Sequence, residues 1–281
     1  MLKRESYIHK DENDLINKLN SRLISEEYKN QLINYYKSFE EDMLISDLLG
    51  KSLEVDNKQF TQIFNIAKKQ ADILEINLPK VYICNGDIYQ IKARGYDEPW
   101  IEISSKTLED FSTKEIEFDM AREMCHIKEE HIKYEILYTQ FLKAIETLDK
   151  VGSSLLTSVP GVVTSEALEV YASSFKLVAY QWSRIAEYTA DRCAYLICQD
   201  IESSISSIKK HFLNSKILAD NINMKSFLKQ CDVINNIDSS ISRYSVFDEK
   251  MPYAAFRIRE LIAFASDFKT KECIKDEFSF I

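Results

Sequence analysis

Residues Phe118 to His131 read FDMAREMCHIKEEH, and this stretch constrains the fold more than any other part of the chain. Ile116, Met120, Met124 and Ile127 recur at steps of three and four. That is the spacing of an apolar stripe along an α-helix, with the charged residues expected on the opposite face. The start is marked too. Ser112-Thr113-Lys114-Glu115 fits a capping box, in which Ser112 satisfies a first-turn amide and Glu115 reaches back to the amide of Ser112. The same periodicity continues through Tyr134, Leu137, Phe141 and Ile145, and predicts one long helix up to Gly152.

Within this helix Arg122, Glu123 and His126 stand at the places of H-E-x-x-H, in which two histidines four apart bind zinc and the glutamate activates water. Here the first histidine is an arginine. A second segment, Trp182 to Arg192, also reads as helix and places Glu187 and Asp191 four apart on one face. A zinc site on the first helix needs a third ligand from another element and an acid that orients a ligand histidine, and these two carboxylates would supply both.

The two segments, in this order and at this separation, resemble the HtpX-like and CAAX-prenyl-protease-like zinc metallopeptidases, family forty-eight of the metallopeptidases. The resemblance covers roughly residues 60 to 265. Leu78 to Ile83 is similar to the family's strand after its first helix. Trp100, Ile101, Glu102, Ile103 and Ser104 are similar to the strand that edges the cleft and accepts an extended substrate through its main chain. Met251-Pro252, followed by Arg257 and Leu261, resembles the closing His-Pro-x-x-x-x-Arg element. The implied fold is mainly α with a small β-sheet (α+β), gluzincin-like, with residues 1–59 as a helical N-terminal extension and 60–281 as the metallopeptidase-like domain.

Carried over residue by residue, the resemblance makes His126 and Glu187 metal ligands, Glu123 the catalytic general base and Asp191 the acid behind the ligands. Arg122 is then a substituted ligand position and Met251 a substituted cleft histidine. Arginine has no lone pair to donate and repels a dication. No neighbour rescues the site: Cys125 points about 100° away around the helix, Asp119 lies a turn too far back, and His131 falls on another face. The resemblance therefore implies a buried Arg122 paired with one or both of Asp191 and Glu187, in place of an ion. The expected function is a metallopeptidase-like protein without hydrolytic activity and with no natural cofactor, which binds a peptide or protein in its cleft. The alternative is an active zinc endopeptidase with an altered ligand set. A third possibility is that the two motifs coincide in an unrelated helical protein.

The remaining features set bounds. A net charge of −9, without a basic patch, disfavours nucleic acid. The six cysteines have no C-x-x-C spacing and no signal-like apolar run precedes them, which predicts a cytoplasmic protein with reduced thiols. The longest uncharged run, Val151 to Ser165, is broken by Gly152 and Pro160-Gly161 and is too short to span a bilayer. It reads as a mobile connection over the cleft, and the apolar tail Phe278 to Ile281 as docking onto the body. Leu15, Leu19, Leu23, Leu32 and Tyr36 give the first 60 residues two or three helices and no motif. Residues 201 to 246 read as helical and polar, without chemistry.

Overall fold

The computed structural model describes residues 2–23, 25–151, 165–236 and 249–278, with side chains described throughout these except at 148–151, 165–168, 235 and 269–278. The run 152–164 and the tail end 279–281 lie outside the described residues, and so do the readings made on them. Three helices come first: α1 (Glu12–Arg22), α2 (Glu26–Tyr35) and α3 (Asp42–Lys51), with a π-helical turn at Tyr36–Glu41. Next come β1 (Ser52–Glu54), α4 (Thr61–Leu74), β2 (Lys80–Cys84), β3 (Ile91–Arg94) and β4 (Trp100–Ser104). The rest is helical: α5 (Ser105–Asp110), α6 (Thr113–Lys128), α7 (His131–Val151), α8 (Ser165–Cys198), α9 (Ile201–Leu213), α10 (Lys216–Asp220), α11 (Met224–Asn235) and α12 (Ala254–Phe278). The fold is mainly α with a small β-sheet.

Helix α6 starts at the capping box read from the sequence: the Ser112 hydroxyl accepts from the Glu115 amide at 3.3 Å, and Glu115 Oε2 accepts from the Ser112 amide at 2.6 Å. Its apolar stripe enters the main core, where Phe118, Met120 and Met124 are fully buried against the sheet residues Ile101 and Ile103. Each such side chain contributes roughly 1.5 to 3 kcal/mol. That is enough to hold below the surface a helix that also carries Asp119, Arg122, Glu123 and His126, all of them buried. The expectation that the charged residues face solvent fails here. They face polar and charged partners on α8, α9 and β3 instead.

Helix α6 also does not run on to Gly152. It ends at Lys128, and Glu130 takes a left-handed conformation (φ 57°) before α7 starts at His131. The break turns α7 away to build a second core with α1 and α8, from Leu15, Leu19, Phe141, Phe175 and Trp182.

The sheet order is β1-β2-β4-β3, with β2 and β4 parallel and the other two pairs antiparallel. Strand β4 is therefore an inner strand and not the cleft edge expected from Trp100, Ile101, Glu102 and Ile103. Its main-chain groups are taken by β2 on one side and β3 on the other, and Ile101 and Ile103 are wholly buried. The edges are β3 and β1. The latter comes from the N-terminal segment, which read from the sequence as purely helical. Three residues at Ser52–Glu54 are too few to show an alternating pattern. Among the described residues no helix is long and apolar enough to cross a membrane.

Candidate functional site

The site forms where α6 crosses α8. Arg122 projects from α6 into four carboxylates. Its Nε donates to Asp191 Oδ1 at 2.7 Å and its Nη2 donates to Glu187 Oε2, while Nη1 lies 3.9 Å from Asp119 Oδ1 and 4.0 Å from Glu123 Oε1. Glu187 and Asp191 sit one turn apart on α8, so one planar guanidinium spans both. From α12, Arg257 closes the arrangement: its Nε donates to Asp191 Oδ2 at 2.9 Å and its Nη2 to Oδ1 at 2.7 Å. Burial would lower the Arg122 pKa, but Asp191 and Glu187 outweigh it, so the guanidinium stays charged. Burial likewise works against ionised Glu187, and Arg122 nevertheless holds its carboxyl well below the usual range.

Glu123 stands beside this pair and is tied to the sheet edge. Its Oε2 accepts from the amide of Ala93 on β3 at 2.8 Å. Burial raises its pKa, against the pull of Lys92 and Arg122. On the rim, Glu135 of α7 is 3.5 Å from Lys92 and bonded to Lys250, and its pKa is lowered to about 2 because the two lysines outweigh burial.

His126, on the same face as Arg122 and Glu123, has its Nε2 3.6 Å from Glu187 Oε1 and its Nδ1 2.9 Å from Nδ1 of His131. The helical wheel put His131 on another face, but the break at Glu130 ends the wheel and swings His131 back over His126. Burial pushes the His126 pKa down to about 3. Met251 is exposed (44%), at the entry to α12.

Several residues that hold the site were invisible in the sequence. Asp119 accepts from Ser207 at 2.6 Å and lies 2.8 Å from His211 Nε2, and Glu115 accepts from Lys210 at 2.8 Å. All three partners are on α9, in the stretch that read as polar and without chemistry. Serine, lysine and histidine at steps of three and four within α9 were the available signal.

The donor set can be tested against zinc directly. His126 and Glu187 offer lone pairs, but the space between them and Asp191 is filled by a guanidinium that offers none. Among the described residues no three His, Cys, Asp or Glu side chains converge as a metal-ligand set. The residues present do not fit a catalytic zinc.

Residues 57–261 match the sequence profile of peptidase family M48. The chain is also similar to a protein of Arabidopsis thaliana named plastoglobule-localized metallopeptidase 48, chloroplastic. The two are 22% identical over 246 residues, which cover 85% of this chain and 67% of the relative.

Proposed function

The chain belongs to peptidase family M48, and from that premise we propose that it keeps the family's cleft as a binding site for an extended peptide or protein segment and does not hydrolyse it. The observation that carries this reading is Arg122. A permanent cation bonded to both Asp191 and Glu187 takes the place where an M48 peptidase needs a metal-binding imidazole. Glu123 supports it as well, because one of its carboxylate oxygens is bonded to the Ala93 amide and the other faces the Arg122 guanidinium at 4.0 Å.

The experiment is the zinc content of the natural protein, purified without a metal-binding tag and dialysed against trace zinc, beside Arg122→His. The expected result is no bound zinc in the natural protein and about one ion per chain in the variant, since imidazole at 122 would join His126 and Glu187 as three protein ligands. Stoichiometric zinc in the natural protein, with chelator-sensitive cleavage of an unfolded substrate, would replace this reading with that of an active endopeptidase of altered ligand set.

The edge that accepts the segment is β3, since β4 is paired on both sides. Its free side is where the Ala93 amide now meets Glu123, and a strand added there takes over that amide. Hydrogen exchange checks this. With a denatured protein present in excess, the outward amides of Ile91 and Ala93 gain protection while those of β2 do not change. Equal change in both strands, or none, would count against strand addition.

A further inference from the structure

Behind His126 runs a chain of buried polar groups that leaves the matched family segment altogether. His126 Nδ1 is 2.9 Å from His131 Nδ1, His131 Nε2 is 3.0 Å from Glu12 Oε1, and the other oxygen of Glu12 accepts from the Thr189 hydroxyl. Glu12 is on α1, 45 positions before residue 57, and is wholly buried, as are His131 and Thr189 within a few per cent. Nothing in a surface helix of an extension requires a buried glutamate. We infer that Glu12, acting through His131, is a positioning residue that fixes His126 as the tautomer with hydrogen on Nδ1, so that Nε2 presents a lone pair to the cleft.

The assignment follows from counting hydrogens. Two ring nitrogens at 2.9 Å share a single hydrogen, because two lone pairs or two N–H groups would repel. The Glu12 carboxylate has only acceptors to offer, so His131 carries a hydrogen on Nε2 and, as a neutral ring, accepts at Nδ1. His126 must then donate from Nδ1. The opposite arrangement needs a doubly protonated His131 and puts the hydrogen on His126 Nε2, facing Glu187. That pair is 3.6 Å apart, outside hydrogen-bond range, while Glu187 bonds to Arg122 instead. A carboxylate behind an imidazole is the usual way to fix which ring nitrogen faces a site, and here a second imidazole is interposed. The N-terminal segment is thus a working part of the cleft.

The test is made on the full-length natural protein, without metal, and so does not depend on whether the cleft binds zinc or peptide. The chain has four histidines, His9, His126, His131 and His211, which makes ring-nitrogen NMR spectra assignable. Near neutral pH, His126 is expected to show a protonated Nδ1 and an unprotonated Nε2, with a through-hydrogen-bond coupling between its Nδ1 and that of His131. Glu12→Gln, whose amide oxygen can still accept from His131, keeps this pattern. Glu12→Leu loses the coupling and gives mixed tautomers of His126. A His126 protonated at Nε2 in the natural protein would overturn the inference, and so would an unchanged pattern in a folded Glu12→Leu protein. The natural-protein spectrum decides the tautomer by itself; if the leucine variant does not fold, Glu12→Ala takes its place, and an unchanged His126 pattern in that folded variant would equally overturn the role of Glu12.

Discussion

Arg122→Met unfolds at markedly lower denaturant than the natural protein, with a loss of about 3 to 5 kcal/mol in unfolding free energy. Methionine roughly fills the space, so cavity formation is a minor part of the cost. The loss arises because Glu187 keeps its burial and gives up its bonded partner, while His126, at 3.6 Å, is outside hydrogen-bond range. Asp191 is left less exposed to the change, since Arg257 still holds it through two bonds. Two further proteins separate this cause from a general disturbance of the core. Arg122→Lys keeps the charge but cannot span both carboxylates, and should lie between the natural protein and the methionine variant. Adding Glu187→Gln to Arg122→Met removes the stranded charge and should recover a large part of the loss, as a coupling between the two positions. A methionine variant within about 1 kcal/mol of the natural protein, the range of exposed ion pairs, would mean that Arg122 is not confined among the carboxylates.

This balance explains how much of the site was legible in the sequence. The helices that carry Arg122, Glu187 and Asp191 were legible because their spacing is a local property, whereas the meeting of Arg122 with the two acids was legible only through the family resemblance. Arg257 was legible as part of the closing element, although its bond to Asp191 was not. The capping box at Ser112 is complete within four residues and so is visible directly. The features that the sequence does not show depend on contacts distant along the chain. Glu12 and His131 are 119 positions apart, and nothing around Glu12 distinguishes it from the exposed acids near it. The break at Glu129 and Glu130 involves neither glycine nor proline, and a glutamate at φ 57° gives no local sign of itself. The inner position of β4 is a matter of strand order, which periodicity does not encode. The division at residue 59 carries the same difficulty, since β1 lies before it yet pairs with β2.

Acid should lower the stability of this protein in two limbs, the first beginning at a pH where carboxylates are still ionised. His126 has its pKa lowered from 6.5 to about 3 by burial, so the folded protein refuses a proton that the unfolded chain accepts. A group depressed in the folded state contributes stability above its unfolded pKa and loses it as pH falls towards the folded value. For His126 that window runs from about 6.5 down to about 3, at no more than about 1.4 kcal/mol for each pH unit. His9, also lowered by burial, adds in the same direction. The second limb belongs to the carboxylates. Burial opposes the ionisation of Glu187, Glu135, Glu12 and Asp119, yet Arg122, the two rim lysines, His131 and His211 respectively keep each lowered. Their contribution is present above the usual carboxylate range and is lost as pH falls from there to about 2, the value for Glu135. Glu123 runs the other way. Its pKa is raised by burial, so it gains a proton in the folded state first and offsets one of the four. Denaturant midpoints taken from neutral pH downward should therefore fall already above the range where acids titrate, and fall more steeply below it. In His126→Asn, whose amide can still donate to His131 and which does not titrate, the upper part of the decline should flatten to the share of His9 while the lower part stays. An upper limb unchanged in that variant would place the responsible group elsewhere.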